Sequence, residues 1–284
     1  MKDYHVIWHT QSRDSSESMP LGGHDAGCNV WVQDDELCIY LAQSGAFDEN
    51  GTMLKLGRLR IHPANRERMS LNFRQELELE KGQICISAGD EENRMKFLLW
   101  QDVTNSNLHI HFSSDREEKL QVIFDCWRYR EREVAPEERG QCRNFAVQGE
   151  DSFPDPVITW PDQIQAEENR LFFFHKNRND RLVYDRAIRQ QHLEAVKDAF
   201  PNWLKDRLTG GLLSCPSLVY KGKKAGCFEH TDQMEYQYET AGLKETEIIV
   251  SLLTGQFTSE EDWKSRVTEN AYAGISLEEN QKWW

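Results

Sequence analysis

No stretch of the 284-residue sequence approaches the roughly 18 consecutive apolar residues that a transmembrane helix needs. Its opening, MKDYHVIWHT, lacks the apolar core of a secretory signal. Two compartments therefore stay open: the cytoplasm, or the periplasm or exterior if a leader has been removed. Positive charge is in deficit, with 34 Lys and Arg against 48 Asp and Glu and a net charge of −14. A surface of that sign repels phosphate backbones and anionic lipid, which excludes nucleic acid as a partner and argues against membrane insertion. There is no CxxC pair and no Cys/His spacing of zinc-finger type. The seven cysteines are odd in number and lie mostly in apolar runs such as CIYLA and ICISA, where a thiol acts as a small hydrophobe. Buried free thiols are expected, not a disulfide framework. No GxSxG elbow, phosphate-loop spacing, internal repeat or low-complexity segment occurs. Nothing in the pattern calls for a cofactor or a resident metal, and no residue stands out as catalytic.

What is present is a period of two. NVWVQ, LCIYLA, GRLRIH, MKFLLWQDV, LHIHFSS, KLQVIFDCWRY, RLFFFHKN and EIIVSLLTG read as strands, many alternating apolar with polar. FRQELELEKGQICISAG predicts a hairpin turning at Lys81-Gly82, with Leu77 and Leu79 on one face and Ile84 and Ile86 following. Turn signals recur at Asp34-Asp35, Asp48-Glu49-Asn50-Gly51, Asn105-Ser106-Asn107 and Asn177-Arg178-Asn179-Asp180. Strands with regular turns and few helices predict an all-β fold, a large antiparallel β-sandwich with short helices. Aromatics at 11%, spread along the chain, rule against disorder.

Two regions break the period. Leu193, Val196, Phe200 and Leu204 recur at helical steps between Ala187 and Leu208, predicting one or two short helices broken at Pro201. From Ser259, an N-cap with an acidic first turn opens a helix through Trp263 and Val267. Ser276-Leu277-Glu278-Glu279 has capping-box spacing and starts a second, which runs into Trp283-Trp284. Two exposed tryptophans on a helix just begun predict a truncated chain whose next domain follows. The expected organisation is a sandwich over 1–257 and a helical linker over 258–284. REREVAPEERGQCR reads as a solvated, charge-rich excursion.

Several constellations bear on chemistry. His109-x-His111 places two imidazoles on one strand face, two ligands toward a metal site that a third would have to close, so solvent-facing histidines are the plainer reading. Asp48-Glu49-Asn50-Gly51 lacks the alternating oxygen ligands of a calcium loop and reads as a turn with Gly51 at positive φ. Trp31, Trp100, Trp127 and Trp160 could stack on sugar rings, though their apolar surroundings favour core packing. Gly22, Gly23, His24 and Asp25 form the most unusual segment. Glycines around a His-Asp pair ahead of a strand suggest either a hairpin or a loop whose backbone lines a neighbouring substrate pocket.

The segment from Ser18 to Trp31, MPLGGHDAGCNVW at its centre, together with Phe47 to Gly51 and Leu54 to Arg58, resembles a known family. The pattern is similar to that of the N-terminal β-sandwich of glycoside hydrolase family 95-like proteins, specifically domain-of-unknown-function family 5703. RLFFFHKNRNDRLVYDRAIRQQHLE and DRLTGGLL resemble its later strand and turn, and LEENQKWW resembles the start of its linker helix. One departure is that Gly23-His24 stands where the family pattern has Asn-Gly. The resemblance implies a supersandwich and a bacterial, carbohydrate-processing parent protein. Its catalytic carboxylates would lie on a helical (α/α)6 barrel beyond this chain, and that barrel would be the partner. Residues Gly22 to Asp25 would then shape a pocket without catalysing. A stand-alone carbohydrate-binding module and a metal-dependent enzyme using His109 and His111 are the competing readings.

Overall fold

In the computed structural model, which describes residues 4–143 and 156–284, alternation becomes two facing antiparallel sheets. The strands in chain order begin with β1 (Val6–Trp8), β2 (Met19–Gly23), β3 (Ala26–Gln33), β4 (Glu36–Gln43), β5 (Gly57–Pro63) and β6 (Arg74–Glu78). Next come β7 (Gln83–Asp90), β8 (Asn93–Gln101), β9 (Asn107–Glu118), β10 (Leu120–Cys126), β11 (Arg132–Glu133) and β12 (Ile158–Thr159). The last are β13 (Gln163–Ala166), β14 (Arg170–Lys176), β15 (Arg207–Ser214), β16 (Leu218–Phe228), β17 (Thr231–Thr240) and β18 (Leu243–Gln256). A nine-stranded sheet runs β1-β6-β7-β8-β9-β18-β15-β14-β13, and a seven-stranded sheet runs β16-β17-β10-β5-β4-β3-β2. This is the all-β sandwich that the alternation predicts.

One residue in two points into the shared core. On β5 and β4, Leu59, Ile61, Leu37 and Ile39 are fully buried there, and on the facing sheet Ile84, Ile110 and Ile248 meet them. Phe124 of β10 and Phe173 of β14 touch across the sheets with ring centroids 4.4 Å apart. Such a tilted pair adds about 0.5–1.5 kcal/mol beyond its buried area. All seven cysteines are free, and only Cys227 is exposed.

Helix α1 (Val183–Gln190) and a 3-10 segment at Glu194–Ala199 occupy the first helical region, with α1 starting upstream of the expected stretch. The expected apolar face does not form a core: Val196 and Phe200 are exposed because the second element is a six-residue 3-10 segment rather than a helix long enough to present a stripe. Leu79 is likewise not a strand residue. β6 ends at Glu78, and Leu79 opens a 3-10 turn and faces solvent. The excursion after Tyr129 holds more structure than its charge suggests: β11 pairs with β12, and Val134, Cys142 and Val157 make a small buried cluster.

Helix α2 (Glu260–Ala271) packs on the outer face of the nine-stranded sheet. Its N-cap Ser259 Oγ accepts the Asp262 N–H at 3.1 Å. Trp263, Val267 and Ala271, one face at steps of four, bury against Phe172, Phe174, Leu208 and Leu212. The Trp263 indole donates to the Leu253 carbonyl at 3.0 Å, so its polar atom is satisfied inside. Helix α3 (Leu277–Trp283) starts with the expected capping box on Ser276 and Glu279. The segment 258–284 thus lies along the sandwich, and Trp284 sits where any side chain at Gly82 would have to go. Among the described residues no helix is long and apolar enough to cross a membrane.

Candidate functional site

The Gly22–Asp25 segment is a hairpin tip. Gly22 pairs with Gly27 and Gly23 with Ala26, leaving His24 and Asp25 as a two-residue turn with His24 at φ 49°. Gly23 is there because nothing larger fits: a Cβ would lie 2.7 Å from the Asp102 carbonyl oxygen and 3.0 Å from that of Gln101. At Gly22 the nearest atom would be 3.5 Å away, an ordinary contact. The segment is thus the hairpin of the first reading, and its Gly23 backbone closely approaches the β8–β9 loop.

Asp25 is the hub of that turn. Its Oδ1 accepts from His24 Nδ1 at 2.9 Å, from the Ser106 hydroxyl, and from Gln43 Nε2 at 3.3 Å. Burial pushes the Asp25 carboxyl up, but the donors Ser106, His24 and Gln43 outweigh it and hold the group below the usual carboxylate range. Ser, His and Asp are together here without forming a nucleophilic triad. The serine bonds the carboxylate and not the imidazole, so the order of a Ser-His-Asp triad is not met. The arrangement orders a loop and leaves His24 about half exposed at its tip.

Behind this hairpin the β8–β9 loop joins it to the C-terminal helices. Asp102 Oδ1 accepts from Thr104 N–H and hydroxyl, both at 2.7 Å, and its Oδ2 accepts from Ile275 N–H at 3.0 Å. Asn107 Nδ2 donates to the carbonyls of Asn270 and Ala273 at 2.7 and 3.0 Å. Asn280 Oδ1 accepts the Val103 N–H at 3.1 Å. Gly23, Asp102 and the α2–α3 link are consequently stacked at one end of the sandwich. Large aromatics stand out from the same helical segment, with Tyr272 83% and Trp283 64% exposed.

A second cluster, which sequence reasoning did not assemble, joins four separate elements. His175, at the inward-facing end of β14, meets Asp162 Oδ1 through Nδ1 and Glu49 Oε2 through Nε2, both at 3.1 Å. Arg128 holds Asp162 with two bonds of 2.9 and 2.7 Å. Burial works against the charged imidazole, yet its two carboxylate partners raise His175 to about 9. Burial, then the Glu49 charge, pushes the neighbouring Asp48 up to about 6. With Glu49 fully buried and His175 1% exposed, the cluster ties elements together and offers no open face to a substrate. The Asp48–Gly51 segment is a turn as expected, with Gly51 at φ 71°, but its carboxylates face inward.

The histidine pair is divided between two glutamates. His109 Nδ1 pairs with Glu247 at 2.9 Å and His111 Nε2 with Glu245 at 2.8 Å, and the Trp100 ring stacks on His109 at 3.9 Å. His109 is nearly buried, so only His111 answers to a solvent-facing histidine. No group of three His, Cys, Asp or Glu that could hold a metal ion occurs among the described residues. Of the four tryptophans, Trp31 and Trp100 are packed as expected, whereas Trp127 and Trp160 are half-buried. The Trp160 ring carries the Arg178 guanidinium at 4.2 Å.

No curated protein matches the chain. Among solved structures it is similar to one described as "Putative kojibiose phosphorylase from human microbiome", with a TM-score of 0.41 and 9% identity, over 99% of this chain and 35% of that one. It is also similar to a bacterial glucoamylase complexed with acarbose, with a TM-score of 0.36 and 12% identity, over 98% of this chain and 40% of that one. The chain thus spans 35–40% of the length of these two proteins. Residues 7–284 match the N-terminal pattern of the family described as "Domain of unknown function (DUF5703)". The chain belongs to that family.

Proposed function

We propose that this chain is a non-catalytic N-terminal β-sandwich of a carbohydrate-processing protein. In this reading it packs against a helical (α/α)6 domain of the same polypeptide and lends its Gly22–Asp25 hairpin to the edge of that domain's substrate pocket. The observation that carries it is the stacking of Gly23 on Asp102 and of Asp102 on the α2–α3 link. It brings the hairpin beside the α2–α3 link, and in this reading the following domain meets that end. His24 is then held by Asp25 in a fixed direction without being part of any proton relay.

The test compares the isolated chain with the full gene product on aryl glycosides. Turnover is expected only from the full product, and His24→Ala in it should lower kcat/KM by about tenfold, as misplacement of a pocket edge does. Turnover by the isolated chain that a point substitution within it abolishes would overturn the proposal. A second reading, a sugar-binding module, is favoured by one feature beyond the end of β10, the half-buried Trp127.

A further inference from the structure

The outer face of the seven-stranded sheet carries a layer of buried charge. Arg58 and Arg60 of β5 point away from the core, opposite Leu59 and Ile61, and both bond Asp125, with Glu36 and Glu235 completing the neutralisation of Arg60. A cavity of about 230 Å³ opens above this layer. Its walls are Tyr40, Trp127 and Phe228, and its polar lining is Lys55, Arg58, Gln233, Thr231 and Glu229. Tyr40 and Trp127 meet edge to face at 6.1 Å, and Phe228 lies flat on the Arg58 guanidinium at 3.5 Å.

Two donors in this pocket stay unspent. Lys55 Nζ sits 4.6 Å above the Tyr40 ring and makes no ion pair among the described residues. Arg58 spends Nε on Asp125 and Nη2 on Asp125 and Gln233, leaving Nη1 without a hydrogen bond among the described residues. In a chain of net charge −14, a cavity that presents the Lys55 ammonium beside a guanidinium N–H with no hydrogen bond among the described residues selects an anion. The aromatic walls select a flat apolar face beside that anion. The volume falls below the roughly 300–1,000 Å³ of sites for drug-sized ligands, so it admits one ring. Glu229 adds an acceptor for hydroxyl groups at the rim. Its turn is held at a local cost, since Glu229 and His230 both adopt positive φ, 45° and 67°.

We propose that this pocket binds a single carboxylate-bearing sugar ring, a uronic acid unit. One ring face stacks on Trp127 with its edge toward Tyr40, the carboxylate meets Lys55 and Arg58, and the hydroxyls reach Gln233, Thr231 and Glu229. This site shares no residue with the His24 hairpin, so it goes beyond the interdomain reading and each can fail alone.

The experiment is a titration of the chain, followed by tryptophan fluorescence and calorimetry, with methyl glucuronide, methyl glucoside and benzoate, on the wild type and on Lys55→Gln. Lys55 is exposed, so its replacement leaves the fold intact. Saturable binding of the glucuronide is expected, weakened by salt. The glucoside should bind about tenfold more weakly, and Lys55→Gln should bring the glucuronide close to that level. Absence of saturation by the glucuronide, equal affinity for the glucoside, equal affinity for benzoate, or an unchanged Lys55→Gln variant would each overturn the proposal.

Discussion

Glu49 and His175 stand 126 positions apart in the chain and 3.1 Å apart in the fold. The first belongs to the Phe47–Gly51 turn and the second to the end of β14. Their bond, with Asp162 and Arg128 behind it, fastens a turn of one sheet to a strand of the other. The fold places a charge cluster where a core residue would otherwise go, and several consequences can be measured.

Replacing His175 by Leu should destabilise the chain by about 3–5 kcal/mol, since it strands the buried Glu49 carboxylate, while Asp162 keeps Arg128. Glu49→Leu added to His175→Leu should recover part of that loss, because the orphaned charge is then removed. Urea unfolding of the two variants provides the check. A double variant no better than the single one would show that the cluster does not act through this pair.

The same cluster makes stability depend on pH in two windows. His175 titrates near 9 in the fold against 6.5 ordinarily, so its contribution is complete below about 6.5 and is lost as pH rises through 9. That loss is of the order of 3 kcal/mol. Asp48, raised to about 6 from 3.8, contributes below 3.8 and loses that contribution as pH climbs to 6. Unfolding midpoints against pH should flatten between pH 4 and 6 in Asp48→Asn and between 6.5 and 9 in His175→Leu. Unchanged slopes in those variants would remove the assignment.

Neighbouring glycines should respond oppositely to one methyl group. Gly23→Ala forces a carbon against two carbonyl oxygens and should cost about 1–3 kcal/mol. Gly22→Ala meets only ordinary contacts and should stay within about 0.5 kcal/mol. Thermal unfolding separates them. Equal shifts would mean that the approach of the hairpin to Asp102 is not what requires glycine.

The β16–β17 turn offers the reverse experiment. Glu229 and His230 occupy the two left-handed positions that Asn-Gly fills without strain. Glu229→Asn combined with His230→Gly should raise stability by about 1 kcal/mol. Should the midpoint fall instead, contacts of those side chains outweigh the backbone cost.

Alternation along β3, β4, β5, β9 and β18 was sufficient to establish that two apolar faces exist, and the Ser259 and Ser276 caps marked both C-terminal helices, because periodicity and capping are properties of a few adjacent residues. β16 and β17 escaped that reading. β16 is the edge of the seven-stranded sheet, where Lys221, Lys223 and Lys224 face water and burial imposes little pattern, and β17 beside it buries polar residues such as Gln233, Glu235 and Thr240, which hides its alternation. The hairpin at Gly22–Asp25 was visible as an oddity of composition, but what Gly23 touches was not. The union of Glu49, Asp162 and His175, and the gathering of Tyr40, Trp127 and Phe228 around Lys55, were decided by strand order alone. Local propensity acts over a turn or a pleat. Which distant charges must neutralise one another is set only when the sheets close and water is excluded.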